Sequence, residues 1–209
     1  SKFYKNNLCI YKRKKVIHSM RIISQNVINY GIEVPKDTIF RINLAWCSSI
    51  DELKAMLQKH IDNKIFLDLP IKRIKTPNNR YTLDDLIPII LSHQQIKYFA
   101  VSNVESPDDL ESFIKKLPPG VILVPKIESP TAIKNISDIV NVLPANEKIL
   151  MLDHDDLFSA IIKSNEPVDV FKKYIQQLVD YCNSNKIILL RTIGVMFSDE
   201  EKRISEYIK

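Results

Sequence analysis

Short runs rich in Ile, Leu, Val and Phe alternate along this chain with longer stretches in which apolar positions recur every three or four residues. The first pattern predicts strands and the second amphipathic helices. Strands are expected over residues 15–19, 38–43, 64–69, 97–102, 121–127, 148–152 and 186–192. Helices are expected over 49–60, 82–94, 106–117, 129–143 and 168–185, with a further helical segment over 198–209. Several helix starts carry their own signals. Ser49 is followed by Glu52, Thr82 by Asp84 and Asp85, and Ser106 and Ser129 by Pro107 and Pro130. A hydroxyl at the N-cap accepts from an orphan N–H, proline's fixed φ suits the first helical position, and early carboxylates favour the positive end of the helix dipole.

Alternation of this kind builds either a doubly wound sheet or a (β/α)8 barrel. A nucleotide-binding open sheet normally places a glycine-rich turn after its first strand. Here Gly31, Gly120 and Gly194 are the only glycines and stand far apart. Any bound phosphate would therefore be held by cationic side chains or a metal. The expected fold is α/β, a TIM (β/α)8-type barrel that is incomplete, with seven recognisable strands. It spans a single domain over residues 1–209, with 1–13 as an N-terminal extension.

Two strand ends concentrate the candidate chemistry. Glu128 follows the strand at 121–127, and Asp156 follows the strand at 148–152. Side chains at the C-terminal ends of successive parallel strands converge on one rim, so this pair is expected to share a divalent ion. Lys126, a charge between Val124 and Ile127, is hard to explain as a surface feature. His154 is a candidate general base, although a loop histidine explains it as well.

Composition narrows the classes. With 45% apolar residues the 209-residue chain can bury a sizeable core. No apolar stretch approaches the roughly 20 residues of a membrane span, and no signal-type core follows the basic start. The net charge is +5, but the cations are interleaved with acids except at residues 12–15, so nucleic acid is not an expected partner. Cys9, Cys47 and Cys182 have no ligand spacing and suggest a reducing cytoplasm.

The collinear set Arg41-Ile-Asn43, Leu67-Asp68-Leu69, Ile74-Lys75-Thr76, residues 100–110, Lys126-Ile-Glu128 and Asp156-Leu157 resembles the catalytic barrel of pyruvate kinase, of the phosphoenolpyruvate/pyruvate superfamily. The resemblance extends to Cys182, Asn183, Lys186 and Thr192, while the lid and C-terminal domains of that family have no counterpart. It implies Glu128 and Asp156 as Mg²⁺ (or Mn²⁺) ligands and Lys126, Arg41 and Thr192 as catalytic. Arg41, Lys75, Lys126 and Thr192 would bind substrate. Asn43 and Asp68 match the family's potassium site, with Ala45 and Leu69 replacing its hydroxyl ligands. Pro125-Lys-Ile-Glu-Ser-Pro130 also resembles the lid-less citrate-lyase β-subunits and HpcH-type aldolases.

The resemblance implies a Mg²⁺-dependent enzyme acting on phosphoenolpyruvate, pyruvate or a related keto acid through a metal-stabilised enolate. A citrate-lyase-type C–C lyase or aldolase is the alternative. Ala45, Trp46 and Phe158 depart from the kinase pattern and favour a third reading, a catalytically degenerate barrel serving as a scaffold. The gap left by the missing eighth strand suggests a homodimer.

Overall fold

The computed structural model describes residues 20, 22–25, 34–73, 76–145 and 147–191. Seven strands lie in it: β1 Ile22–Ser24, β2 Ile39–Asn43, β3 Lys64–Leu69, β4 Ile96–Val101, β5 Ile122–Ile127, β6 Ile149–Leu152 and β7 Ile188–Arg191. They pair in sequence order, and every pair is parallel. The result is a curled α/β half-barrel. Six of the strands occupy expected segments. The strand expected at 15–19 and the helix at 198–209 lie outside the described residues, and β1 occupies a segment in which no strand was expected.

Seven helices connect the described strands: α1 Ile50–Lys59, α2 Leu83–Ser92, α3 Glu111–Lys116, α4 Pro130–Lys134, α5 Ile136–Asn141, α6 His154–Lys163 and α7 Val170–Ser184. The starts follow the local chemistry. Ser49 accepts from the Glu52 N–H, Ser129 from the Ala132 N–H, and Thr82 and Asp85 form a reciprocal capping box. Two expectations change. The helix at 129–143 is broken at Asn135, whose side-chain amide donates to the Glu105 carbonyl at 2.9 Å. The acidic stretch after β6 is not a loop: it opens α6, with Asp153 as N-cap accepting from the Asp156 N–H.

Strand alternation sorts the interior into two layers. One parity, with Phe40, Ile42, Leu67, Phe99, Leu123, Leu150 and Leu152, packs under the helices. The other, with Ile39, Phe66, Tyr98, Val124, Ile149 and Met151, packs on the concave face. Phe40, Phe66 and Phe99 are fully buried, and truncating any one to Ala would cost about 3–5 kcal/mol.

Candidate functional site

Followed to the C-terminal ends of the strands, the concave parity changes from apolar to charged. Ile39 leads to Arg41 and Asn43, Phe66 to Asp68, Val124 to Lys126 and Glu128, and Met151 to Asp153. An apolar floor thus carries a polar upper layer at the C-terminal strand ends of the half-barrel. Asp68, Lys126 and Glu128 are 1%, 5% and 4% exposed.

Ion pairs join this layer across three strands. Asp68 Oδ2 accepts from Arg41, whose Nε is 3.1 Å away, and lies 3.7 Å from Lys126 Nζ. Lys126 Nζ stands 2.7 Å from Glu128 Oε1. Oε1 makes no well-directed hydrogen bond beyond that ion pair. The other oxygen, Oε2, accepts the Asn103 backbone N–H at 2.8 Å. Two cations and two carboxylates therefore sum to zero charge among largely buried side chains.

The ionisation of the group follows from burial set against neighbours. Burial works against the charged form of Asp68, but Lys126 and Arg41 together outweigh it and hold its carboxyl below the usual range. Burial likewise opposes the Lys126 ammonium, and the carboxylates of Asp68 and Glu128 overcome this and raise its pKa. For Glu128 burial wins. Its carboxyl is pushed up despite Lys126 and the Asn103 N–H.

Beside the ion pairs, carboxylate oxygens of Glu128, Asp153 and Asp156 lie within 4.8 Å of one another. Glu128 comes from the end of β5, Asp153 from the end of β6 and Asp156 from the first turn of α6. Glu128 and Asp156 line a cavity of about 370 Å³, together with Lys126, Asn103, Lys72 and Arg73. Lys72 and Asn103 both adopt left-handed backbone, with φ of 56° and 54°, a conformation uncommon for residues other than glycine and frequent at functional loops.

The structure brings Lys126, Glu128 and Asp156 to one rim. Arg41 reaches the rim too, but its guanidinium is held by Asp68. The Asn43 side-chain oxygen accepts from the Ala45 N–H at 3.0 Å, capping a short 3₁₀ turn, so Asn43 and Asp68 are engaged separately and a potassium ion at Asp68 would meet two protein cations. Lys75 and Thr192 lie outside the described residues. His154 packs edge-on to Phe171 and neighbours Arg191, away from the cavity. Asp153 and Asn103 carry no role in the sequence reading. The available signal for Asp153 was its parity with Ile149 and Met151; nothing local marks Asn103.

No family model matches the chain, and no curated protein does either. Among solved structures the chain is similar to RipC from Yersinia pestis, at 16% identity and a TM-score of 0.57, over 90% of this chain and 82% of that one. At that identity the likeness shows the fold alone. The pyruvate kinase-like assignment is therefore corrected: neither a family model nor a curated relative supports it, and the structural neighbour shares a seven-stranded, all-parallel half-barrel. The motifs that suggested it are short strand-end segments, and parallel barrels place similar residues at such ends for reasons of geometry.

Proposed function

We propose that the charged rim is a divalent-cation-dependent enzyme site for a small anionic keto acid, with C–C lyase or aldolase chemistry passing through an enolate. The observation that carries this reading is the convergence of Glu128, Asp153 and Asp156 within 4.8 Å beside the buried Lys126. The donor set suits a hard cation. Mg²⁺ bonds of about 2.1 Å place ligand oxygens roughly 3–4 Å apart, within small side-chain adjustments of this trio. When bound, such an ion supplies positive charge where enolate charge develops.

The chain's own residues supply the rest of the environment. Lys126 holds a fixed ammonium next to the acids, where a carboxylate or enolate oxygen can approach. Lys72 and Arg73 also line the cavity, Lys72 paired with Asp109 at 3.3 Å and Arg73 donating to the Pro77 carbonyl at 2.7 Å. The cavity volume falls within the range of small-molecule sites. The reading includes a (β/α)8-type barrel, with a second copy covering the outer edges of β1 and β7, the terminal strands of the described sheet. The buried thiols of Cys47 and Cys182 suit a reducing cytoplasm. No helix among the described residues is long and apolar enough to cross a membrane.

A second reading has its own observation. The Arg41, Asp68, Lys126 and Glu128 charges already neutralise one another, which is what a purely structural network in a scaffold would do. Thermal unfolding with Mg²⁺ or Mn²⁺, each with and without oxalate, pyruvate or phosphoenolpyruvate, separates the two. The enzyme reading expects a metal-dependent rise in Tm that oxalate increases further. No shift with any combination overturns it in favour of the scaffold.

A further inference from the structure

Two loops meet at the cavity, and two consecutive residues, Ser102 and Asn103, tie them. After β3 the chain turns through Pro70, Ile71 and Lys72, presenting Lys72 and Arg73 to the cavity; after β4 it turns through Ser102 and Asn103. The Ser102 hydroxyl donates to the Leu69 carbonyl at 3.2 Å and accepts from the Ile71 N–H at 2.9 Å. The Asn103 side-chain amide donates to the Ile71 carbonyl at 2.6 Å. The left-handed backbone of Asn103 aims its own N–H at Glu128 Oε2, 2.8 Å away. Asn103 thus holds Glu128 through its backbone and the loop carrying Lys72 and Arg73 through its side chain.

We propose that Asn103 is the positioning residue of this site: its left-handed backbone aims an N–H at Glu128 Oε2 and so fixes the carboxylate between Lys126 and the acid cluster, while its amide helps hold the loop that carries Lys72 and Arg73. Asparagine suits both tasks, because it tolerates positive φ better than most side chains and carries a short amide donor. The proposal rests on the metal-dependent reading above. It assigns Asn103 no contact with substrate.

Two variants separate its two arms. Asn103→Gly keeps the backbone conformation and the N–H but removes the tether. Asn103→Val disfavours the left-handed conformation and removes both. Mn²⁺ affinity, measured by calorimetry, should be within about twofold of wild type for Asn103→Gly, since the backbone donor is unchanged. It should fall about 10–100-fold for Asn103→Val, the usual loss when the group orienting a metal ligand is removed. Oxalate binding to the Mn²⁺-loaded protein should weaken in both variants, because both remove one of the two side-chain tethers that hold the loop carrying Lys72 and Arg73.

Hydrogen exchange gives a readout independent of metal. Amides of residues 71–73 should lose protection in both variants, and the amide of residue 103 only in Asn103→Val. Equal Mn²⁺ affinities in two folded variants, or unchanged exchange at 71–73, overturns the proposal. A wild-type protein that binds no Mn²⁺ overturns the metal reading; exchange then decides the positioning role by itself, the expected pattern sustaining it and its absence removing it.

Discussion

Lys126 Nζ and Glu128 Oε1 lie 2.7 Å apart because the two residues leave the end of β5 on the same side, two positions along an extended chain. Local geometry makes that pair. Asp68 joins it only because β3 and β5 flank β4, across which its Oδ2 comes within 3.7 Å of the same ammonium. Lys126 therefore has a sequence-local partner and a tertiary one, and the two should behave differently when removed.

Replacing Asp68 with Asn should be the more damaging change. It leaves Arg41 without its buried carboxylate and Lys126 with half its counter-charge, a loss of about 3–5 kcal/mol for a broken buried pair. Glu128→Gln should cost only about 1–2 kcal/mol, the scale of a weakened hydrogen bond, because burial already disfavours the Glu128 charge. Urea unfolding at pH 7 checks the order. Equal losses would show that Asp68 and Glu128 anchor the network alike and overturn this order.

The acid and alkaline limbs of stability follow from the same groups. The folded-state pKa of Asp68 is below its ordinary 3.8, so its contribution is present above that value and is lost as pH falls through the folded one. Lys126 is raised above 10.5, so its contribution is complete below that value and disappears as pH rises through the folded one. Glu128, raised above 4.5, acts in the opposite sense to Asp68: stability declines as pH rises from 4.5 through its folded value. Asp68→Asn should therefore flatten the acid limb of Tm against pH, and Lys126→Met the alkaline limb.

Metal addition should stabilise the wild-type protein by about 2.7 kcal/mol at a hundredfold excess over Kd. Asp153→Asn and Asp156→Asn should each abolish most of that gain. Lys126→Met should keep a metal-dependent shift but lose the added effect of oxalate. Differential scanning fluorimetry with Mn²⁺ reads all three. A full metal response in Asp153→Asn would remove that residue from the set.

At the opposite end of the fold, His60 stacks on Phe40 with ring centroids 3.8 Å apart, and its Nε2 is buried without a hydrogen-bond partner. Burial lowers its pKa from 6.5, so the imidazole is neutral in the fold and stability falls as pH drops below 6.5 toward the folded value. His60→Phe keeps the stack and removes the orphaned nitrogen. It should flatten the stability profile between about pH 5 and 7, the window in which unperturbed His titrates. An unchanged slope in that window would assign the dependence to another group.

Much of the architecture was legible because strands and helices have different apolar periods. Six strands appear where alternation in the sequence puts them, and the Ser and Thr caps form where their spacing says. The strand end at Glu128 was legible too, since the lysine two positions before it, between Val124 and Ile127, is hard to explain as a surface feature. α6 was less legible. Its first turn is so acidic that the stretch reads as a loop, although Asp153 there is a helix N-cap and Leu157 and Ile161 are its buried face.

Periodicity along the chain is enough to place most elements and their parity, and hence which residues can face the concave side: Arg41, Asp68, Lys126, Glu128 and Asp153 each sit two positions beyond an inward apolar residue or charge. Which of these touch depends on how the sheet curls. The curl of the sheet brings β2, β3 and β5 close enough for Asp68 to take both Arg41 and Lys126, and places the start of α6 beside Glu128. Asn103 shows the limit most clearly. Its role depends on a left-handed turn and on contacts with Ile71 and Glu128, 32 and 25 residues away, and long-range hydrogen bonds of that kind leave no periodic trace along a chain.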